Sequence, residues 1–212
     1  MPSTQSSPTK ACLLFYNALS ALLWLRILTT ILSYVLISSP NTSTPTSTPE
    51  AIYATIEPHA RWTQTLAVVE ILYSATGLTR SPIFTTFTQI FARSVQVWVI
   101  NYLYASTTSS SLLYPAMLFA WSLADTVRYT YFAILQSGFA VPEVLKWLRY
   151  SLFTVLYPVG IAGEWWLMFC AIGETGSLLA RVVLWGCLVL YGPGSIMMYS
   201  YMLKQRRKTL AN

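Results

Sequence analysis

Long apolar runs alternate with short polar stretches along the chain, and this alternation predicts helices that cross a bilayer. Residues 11–37 hold a single charge, Arg26. The run is too long for a signal-peptide core and lacks a convincing cleavage site, so it reads as an uncleaved first span. Residues 38–49, SSPNTSTPTSTP, are low-complexity and cannot bury a core, which makes them a loop outside the membrane. Residues 51–59 fit a short interfacial helix with His59 as a polar anchor. A second, weaker span covers 62–78 and contains Glu70, and the turn at 79–82 ends in proline. A third span, 82–104, places Gln89 and Arg93 four apart on one inward face. After a short loop, a fourth span at 112–135 carries Asp125, Arg128 and Tyr129. A Gly/Pro loop at 136–143 leads through Lys146 and Arg149 into a fifth span, then comes a turn at 172–177. A sixth span at 178–203 is interrupted by Gly192, Pro193 and Gly194. The expected fold is therefore all-α, a polytopic membrane protein built as a six-transmembrane-helix bundle. Residues 1–10 are expected to be a disordered tail, 11–203 one membrane domain, and 204–212 a basic cytosolic tail.

Composition agrees with that class. Of 212 residues, 55% are hydrophobic and only 9% charged, and the mean hydropathy is +0.52, too few charges to cover a soluble surface of this size. The net charge of +6 could suggest a nucleic-acid partner, but no basic stripe is interleaved with aromatics. Topology accounts for it better. Lys10, Arg80, Lys146, Arg149 and the tail cations Lys204, Arg206, Arg207 and Lys208 fall on one side of a six-span path; Glu50, Glu57, Arg61 and Glu174 fall on the other. That places both termini in the cytosol. Cys12, Cys170 and Cys187 stand apart in apolar sequence and indicate neither a disulfide framework nor a zinc site. Asn41 opens an N-x-S/T sequon close to a span. GxxxxGK[ST], GxGxxG, HExxH and GxSxG are all absent, which removes the usual chemistry of nucleotide-binding proteins, metalloproteases and serine hydrolases.

Within the fifth span, LRYSLFTVLYPVGIAGEWWLM at 148–168, Glu164 is the anomaly. A carboxylate in mid-span costs roughly 2.5–3.5 kcal/mol on insertion scales, so such acids face a bundle interior. Tyr157 lies seven residues earlier and so shares its helix face. Pro158, Gly160 and Gly163 are expected to bend the segment between them. The residues alone fit two readings equally: a site, or a proline-kinked packing helix whose Glu164 pairs with a buried arginine. Arg26 is expected to be paired inside the bundle, and Asp125 and Arg128, three apart, to neutralise each other.

The run LRYSLFTVLYPVGIAGEW resembles the LRY…LYPxGxxxE signature of the very-long-chain (3R)-3-hydroxyacyl-CoA dehydratases, the protein tyrosine phosphatase-like A or PASTICCINO family. Further similar blocks surround Tyr16, Asn17 and Trp24, and occupy 70–98 and 121–132, so the likeness covers most of the chain. It departs at Tyr73, where the family has His, and at Asp125, where Glu is usual. The resemblance implies that Tyr157 and Glu164 are the catalytic pair of a hydro-lyase acting in fatty acid elongation at the endoplasmic reticulum membrane. Its partners would be a very-long-chain acyl-CoA substrate, the lipid bilayer and other enzymes of the elongation cycle. Dehydration needs one base and one acid and no cofactor; a tyrosine is protonated at neutral pH, and a carboxylate in a low-dielectric cavity is a stronger base. That favours Glu164 as base and Tyr157 as acid, the reverse assignment standing open if an arginine stabilises the tyrosinate. The acyl chain can lie among the helices while cations at the cytosolic face meet the anionic CoA head, with Arg128 and Arg149 as candidate substrate-binding residues. A non-catalytic scaffold of the same fold or a small transporter are the alternatives. Neither accounts for the joint presence of Tyr157 and Glu164 together with the resemblance.

Overall fold

The structure, a computed structural model, describes residues 7–37, 48–79 and 81–210, and every regular element among them is helical. The first, α1 (Ser7–Ile37), starts inside the expected tail, because Pro8 falls in the first turn, where a missing N–H forfeits no bond. Residues 1–6 of that tail, the loop at 38–47 with the Asn41 sequon, Arg80 and residues 211–212 lie outside the described residues.

The helix α2 (Pro49–Leu66) is capped by Thr48, whose hydroxyl accepts from the Ala51 N–H at 3.3 Å. It thus begins before the expected interfacial helix and runs past it. At Ala67 the chain passes into α3 (Val68–Ala75), so the anticipated second span is two jointed helices. After a turn through Gly77 (φ 71°), α4 (Ile83–Val95) continues directly into a π-helical segment, Gln96–Leu103. Winding by i→i+5 sets Gln96 under Asn101, and the two side-chain amides bond at 3.1 Å. A short α5 (Ala105–Ser109) precedes α6 (Leu113–Ser137), which stops at Gly138 in the left-handed region (φ 87°). The predicted fifth span is α7 (Glu143–Ser151) and α8 (Phe153–Glu174), joined at Leu152.

The last helix, α9 (Leu178–Leu210), corrects two expectations. Gly192, Pro193 and Gly194 do not interrupt it, and the basic residues form its final turns instead of a separate tail. Where water is scarce, a broken backbone would strand polar groups, so losing the one Pro193 donor costs less than unwinding. Cations at a helix C-terminus also meet the negative end of its dipole.

Among the described residues three stretches are long and apolar enough to cross a membrane: Pro8–Leu36, Glu143–Glu174 and Leu178–Thr209. The chain is an all-helical membrane protein. α6 is the central helix, packed between α1 and α8, and α9 packs against α8. Its buried positions Tyr114, Met117, Leu118, Trp121, Asp125 and Tyr129 recur every three or four residues and meet Trp24 and Ile27 of α1 and Leu167 and Ala171 of α8. At one end of the bundle, Arg206 of α9 donates to Ser151 of α7 at 3.3 Å. At the other, Ser106 and Thr107 of α5 donate to Glu174 at the end of α8, and α2 carries the buried pair Glu57–Arg61 (2.8 Å), with the guanidinium 4.0 Å from the Tyr102 ring.

Candidate active site

On α8 the buried stripe runs Leu156, Gly160, Gly163, Glu164, Leu167, Met168 and Ala171. Two of these are glycines because α6 comes too close for a side chain. A Cβ on Gly163 would stand 2.7 Å from the Met117 Cβ and 3.2 Å from the Leu113 carbonyl oxygen; one on Gly160 would be 3.5 Å from the Trp121 indole. That approach brings Trp121 of α6 to Glu164.

The Glu164 carboxylate is 7% exposed and both of its oxygens are engaged. The Trp121 indole N–H donates to Oε1 at 2.8 Å, and the Tyr191 hydroxyl of α9 donates to Oε2. The alternative in which Glu164 pairs with a buried arginine is therefore corrected: an indole and a phenol hold it. Tyr157, seven residues back on the same face of α8, also points at α9. Its hydroxyl donates to the Ser195 carbonyl at 3.2 Å and its ring stacks on Tyr199 at 5.8 Å. Pro158 stays within α8. Lacking a donor, it frees the Thr154 carbonyl one turn back, which accepts from the Tyr199 hydroxyl at 3.5 Å. α9 thus lines both residues, Tyr191 facing Glu164 and, one turn on, Ser195 facing Tyr157.

Behind Trp121 lies a charged network. The Arg93 guanidinium sits 4.0 Å from the Trp121 ring and 5.2 Å from that of Trp24, with Nη1 at 2.6 Å from Asp125 Oδ2. Asp125 also meets Arg128 Nε at 3.1 Å, the pair expected from their spacing. Arg128 Nη1 reaches Glu70 Oε2 at 3.1 Å, and Glu70 Oε1 accepts from the hydroxyls of Tyr16 (3.0 Å) and Tyr129. Arg128 is thereby shared between two carboxylates. Arg149 lies 5.8 Å from the Phe132 ring and 5.6 Å from Tyr150. Among the described residues neither arginine bonds to Tyr157 or Glu164. Arg26 is exposed and has no ion-pair partner among the described residues, contrary to expectation; it lies on an outward face of α1 and lines a groove with Thr55 and His59 of α2. His59 bonds locally to the Thr55 carbonyl at 3.0 Å. Tyr73, at a departure from the family pattern, touches Cys12 Sγ at 3.4 Å and packs edge-on to Tyr16.

The sequence placed Glu164 and Tyr157 on a common face but missed Trp121 and Tyr191. A usable signal for Trp121 was its position four residues before Asp125 on the inward face of α6. Nothing local marks Tyr191. Together these residues present an oriented carboxylate and, two turns away on the same helix face, a phenol, groups suited to taking a proton at one point and giving one at another.

Residues 64–212 match the family model described as protein tyrosine phosphatase-like protein, PTPLA. The chain is similar to a probable very-long-chain (3R)-3-hydroxyacyl-CoA dehydratase of Schizosaccharomyces pombe, with 34% identity over 91% of this chain and 89% of that one. It is also similar to the very-long-chain (3R)-3-hydroxyacyl-CoA dehydratase PASTICCINO 2A of Oryza sativa subsp. japonica, with 37% identity over 76% of this chain and 80% of the relative. No solved structure matches.

Proposed function

The chain belongs to the protein tyrosine phosphatase-like family, PTPLA, and from that premise we propose that it dehydrates very-long-chain (3R)-3-hydroxyacyl-CoA to the trans-2-enoyl-CoA, the third step of fatty acid elongation. Glu164 takes the proton from C2, and the electron pair of that C–H bond becomes the new C2=C3 bond. The C3–O bond breaks as Tyr157 protonates the departing hydroxyl, which leaves as water. Return of the proton from Glu164 to the tyrosinate resets the pair. The observation that carries this assignment is the buried Glu164 carboxylate, held by an indole and a phenol, with Tyr157 on the same face of α8. Tyr157 suits the acid role because its hydroxyl meets a main-chain carbonyl and, among the described residues, no guanidinium.

The same reading keeps one membrane domain of six spans. Its support is the continuous run of α4 and the π segment from Ile83 to Leu103, the 25 residues of α6 and the jointed pair α2–α3, besides the three strongly apolar stretches. Lys146 and Arg149 share an end of the bundle with the basic close of α9, through Arg206 and Ser151, and Glu57 and Glu174 gather at the opposite end. With positive charge inside, both termini face the cytosol of an endoplasmic reticulum membrane. There Arg149 faces the CoA phosphates, Arg128 backs the site, the α9 cations serve topology, and other elongation enzymes deliver substrate and remove product.

The test is turnover of a long-chain (3R)-3-hydroxyacyl-CoA by purified protein, following the enoyl product. Tyr157→Phe and Glu164→Gln keep shape and should each lower kcat by roughly 10²–10⁴, with the double variant little worse than either. Wild-type turnover by either folded variant would refute the assignment.

A further inference from the structure

Glu164 is gripped from two helices at once, and the two grips differ in kind. An indole N–H can donate but has no lone pair with which to take a proton, so Trp121 fixes Oε1 without competing for the substrate's proton. The phenol of Tyr191 holds the other oxygen from α9. Two donors on two oxygens set the plane of the carboxylate, which a single donor would leave free to turn. Trp121 is itself pinned: Arg93 lies against its ring at 4.0 Å and is tied to Asp125 at 2.6 Å. Gly160 leaves the space beside the indole open, since even a Cβ there would come only to 3.5 Å from Trp121 and 3.8 Å from Glu164 Oε1.

We propose that Trp121 and Tyr191 are positioning residues for the Glu164 carboxylate, fixing its plane between α6 and α9 so that it meets the C2 proton of the substrate in one orientation. The proposal rests on Glu164 being the base. Positioning acts on the chemical step, so its loss lowers kcat while the binding of the distant acyl chain and CoA head is kept.

Steady-state kinetics of Tyr191→Phe and Trp121→Phe test it, each made in the wild-type and the Glu164→Gln backgrounds, with activity expressed per monodisperse folded molecule. In the wild-type background each should lower kcat about 10- to 100-fold, the rate equivalent of a hydrogen bond to a charged group, with KM within about threefold. In the Glu164→Gln background, where no carboxylate remains to be oriented, the same changes should alter residual kcat less than about twofold. Should Tyr191→Phe fail to fold, Trp121→Phe carries the same comparison from the other oxygen. Wild-type kcat in a folded Tyr191→Phe or Trp121→Phe, or an equal loss in both backgrounds, overturns the proposal while leaving Glu164 as the base. An active Glu164→Gln overturns the assignment of Glu164 itself.

Discussion

Gly163→Ala and Gly160→Ala are the same chemical change, three residues apart on one buried stripe, yet they should move stability in opposite directions. Both relieve the backbone freedom of a helical glycine, worth about 1 kcal/mol. At Gly160 the added carbon finds ordinary contact at 3.5 Å, so most of that gain should be kept. At Gly163 it would stand 2.7 Å from the Met117 Cβ, and restoring a 3.4 Å contact means separating α6 and α8 by about 0.7 Å. Forcing extra volume into a packed contact costs typically 1–3 kcal/mol, which outweighs the helix gain. The same shift would stretch the Trp121–Glu164 bond from 2.8 Å towards its breaking point, so kcat should fall by roughly 10- to 100-fold as well. Met117→Ala cannot relieve the clash, since alanine retains the Cβ, whereas Met117→Gly should be less harmful beside Gly163→Ala than alone. Apparent melting of the detergent-solubilised protein, followed by tryptophan fluorescence, together with turnover, reads all of these. If Gly163→Ala melts as high as Gly160→Ala and turns over normally, the close approach of α6 and α8 is wrong.

Arg128→Met should destabilise by about 3–5 kcal/mol, because Glu70 is left without its guanidinium and Asp125 keeps only Arg93; low yield with near-normal kcat per folded molecule is the expected outcome, and a raised KM with normal stability would instead place Arg128 on the substrate. Neutralising Lys204, Arg207 and Lys208 together should leave turnover of inserted protein nearly unchanged, and a large KM increase that disappears at high salt would show that these cations bind the CoA head. In sealed microsomes of a background lacking Cys12, Cys170 and Cys187, a cysteine at Lys208 should be labelled from outside and one at Glu50 should not; the reverse pattern would invert the orientation.

Periodicity made the site's own helix legible. Spacing alone put Tyr157 and Glu164 on one face of α8 and paired Asp125 with Arg128, as the structure does. What spacing could not supply was the covering helix. It pointed Arg93 inward without saying that it meets Asp125, and it gave no direction to Glu70, which receives two tyrosine hydroxyls. Tyr191 was hidden for the same reason, being one aromatic in a helix apolar on every side. Errors in the elements came from applying the rules of water-exposed helices. Gly192-Pro193-Gly194 would end a soluble helix, but in apolar surroundings an unwound turn costs more than one missing bond. Arg26 is expected inside on the premise that a charge in a span must be buried, whereas it lies on an exposed face of α1 beside Leu22 and Leu25, from which its side chain reaches outward.

The π-helical segment after α4 gives this stretch a fixed residue count. Its looser winding lets Arg93 face Asp125 on one side of the junction while Val97 and Ile100 fill the core on the other, and Trp98 reaches Thr65 at 2.9 Å. Removing one residue from Gln96–Leu103 would favour ordinary α winding, in which residues five apart no longer stack, so Gln96 would lose Asn101 and the side chains of the segment would be redistributed around the helix axis. The apolar pair would then swing out of place. A single-codon deletion here should therefore be far more damaging than most substitutions at the same positions, so homologues that keep the Arg93–Trp121 contact should keep the length of this segment even where its residues drift.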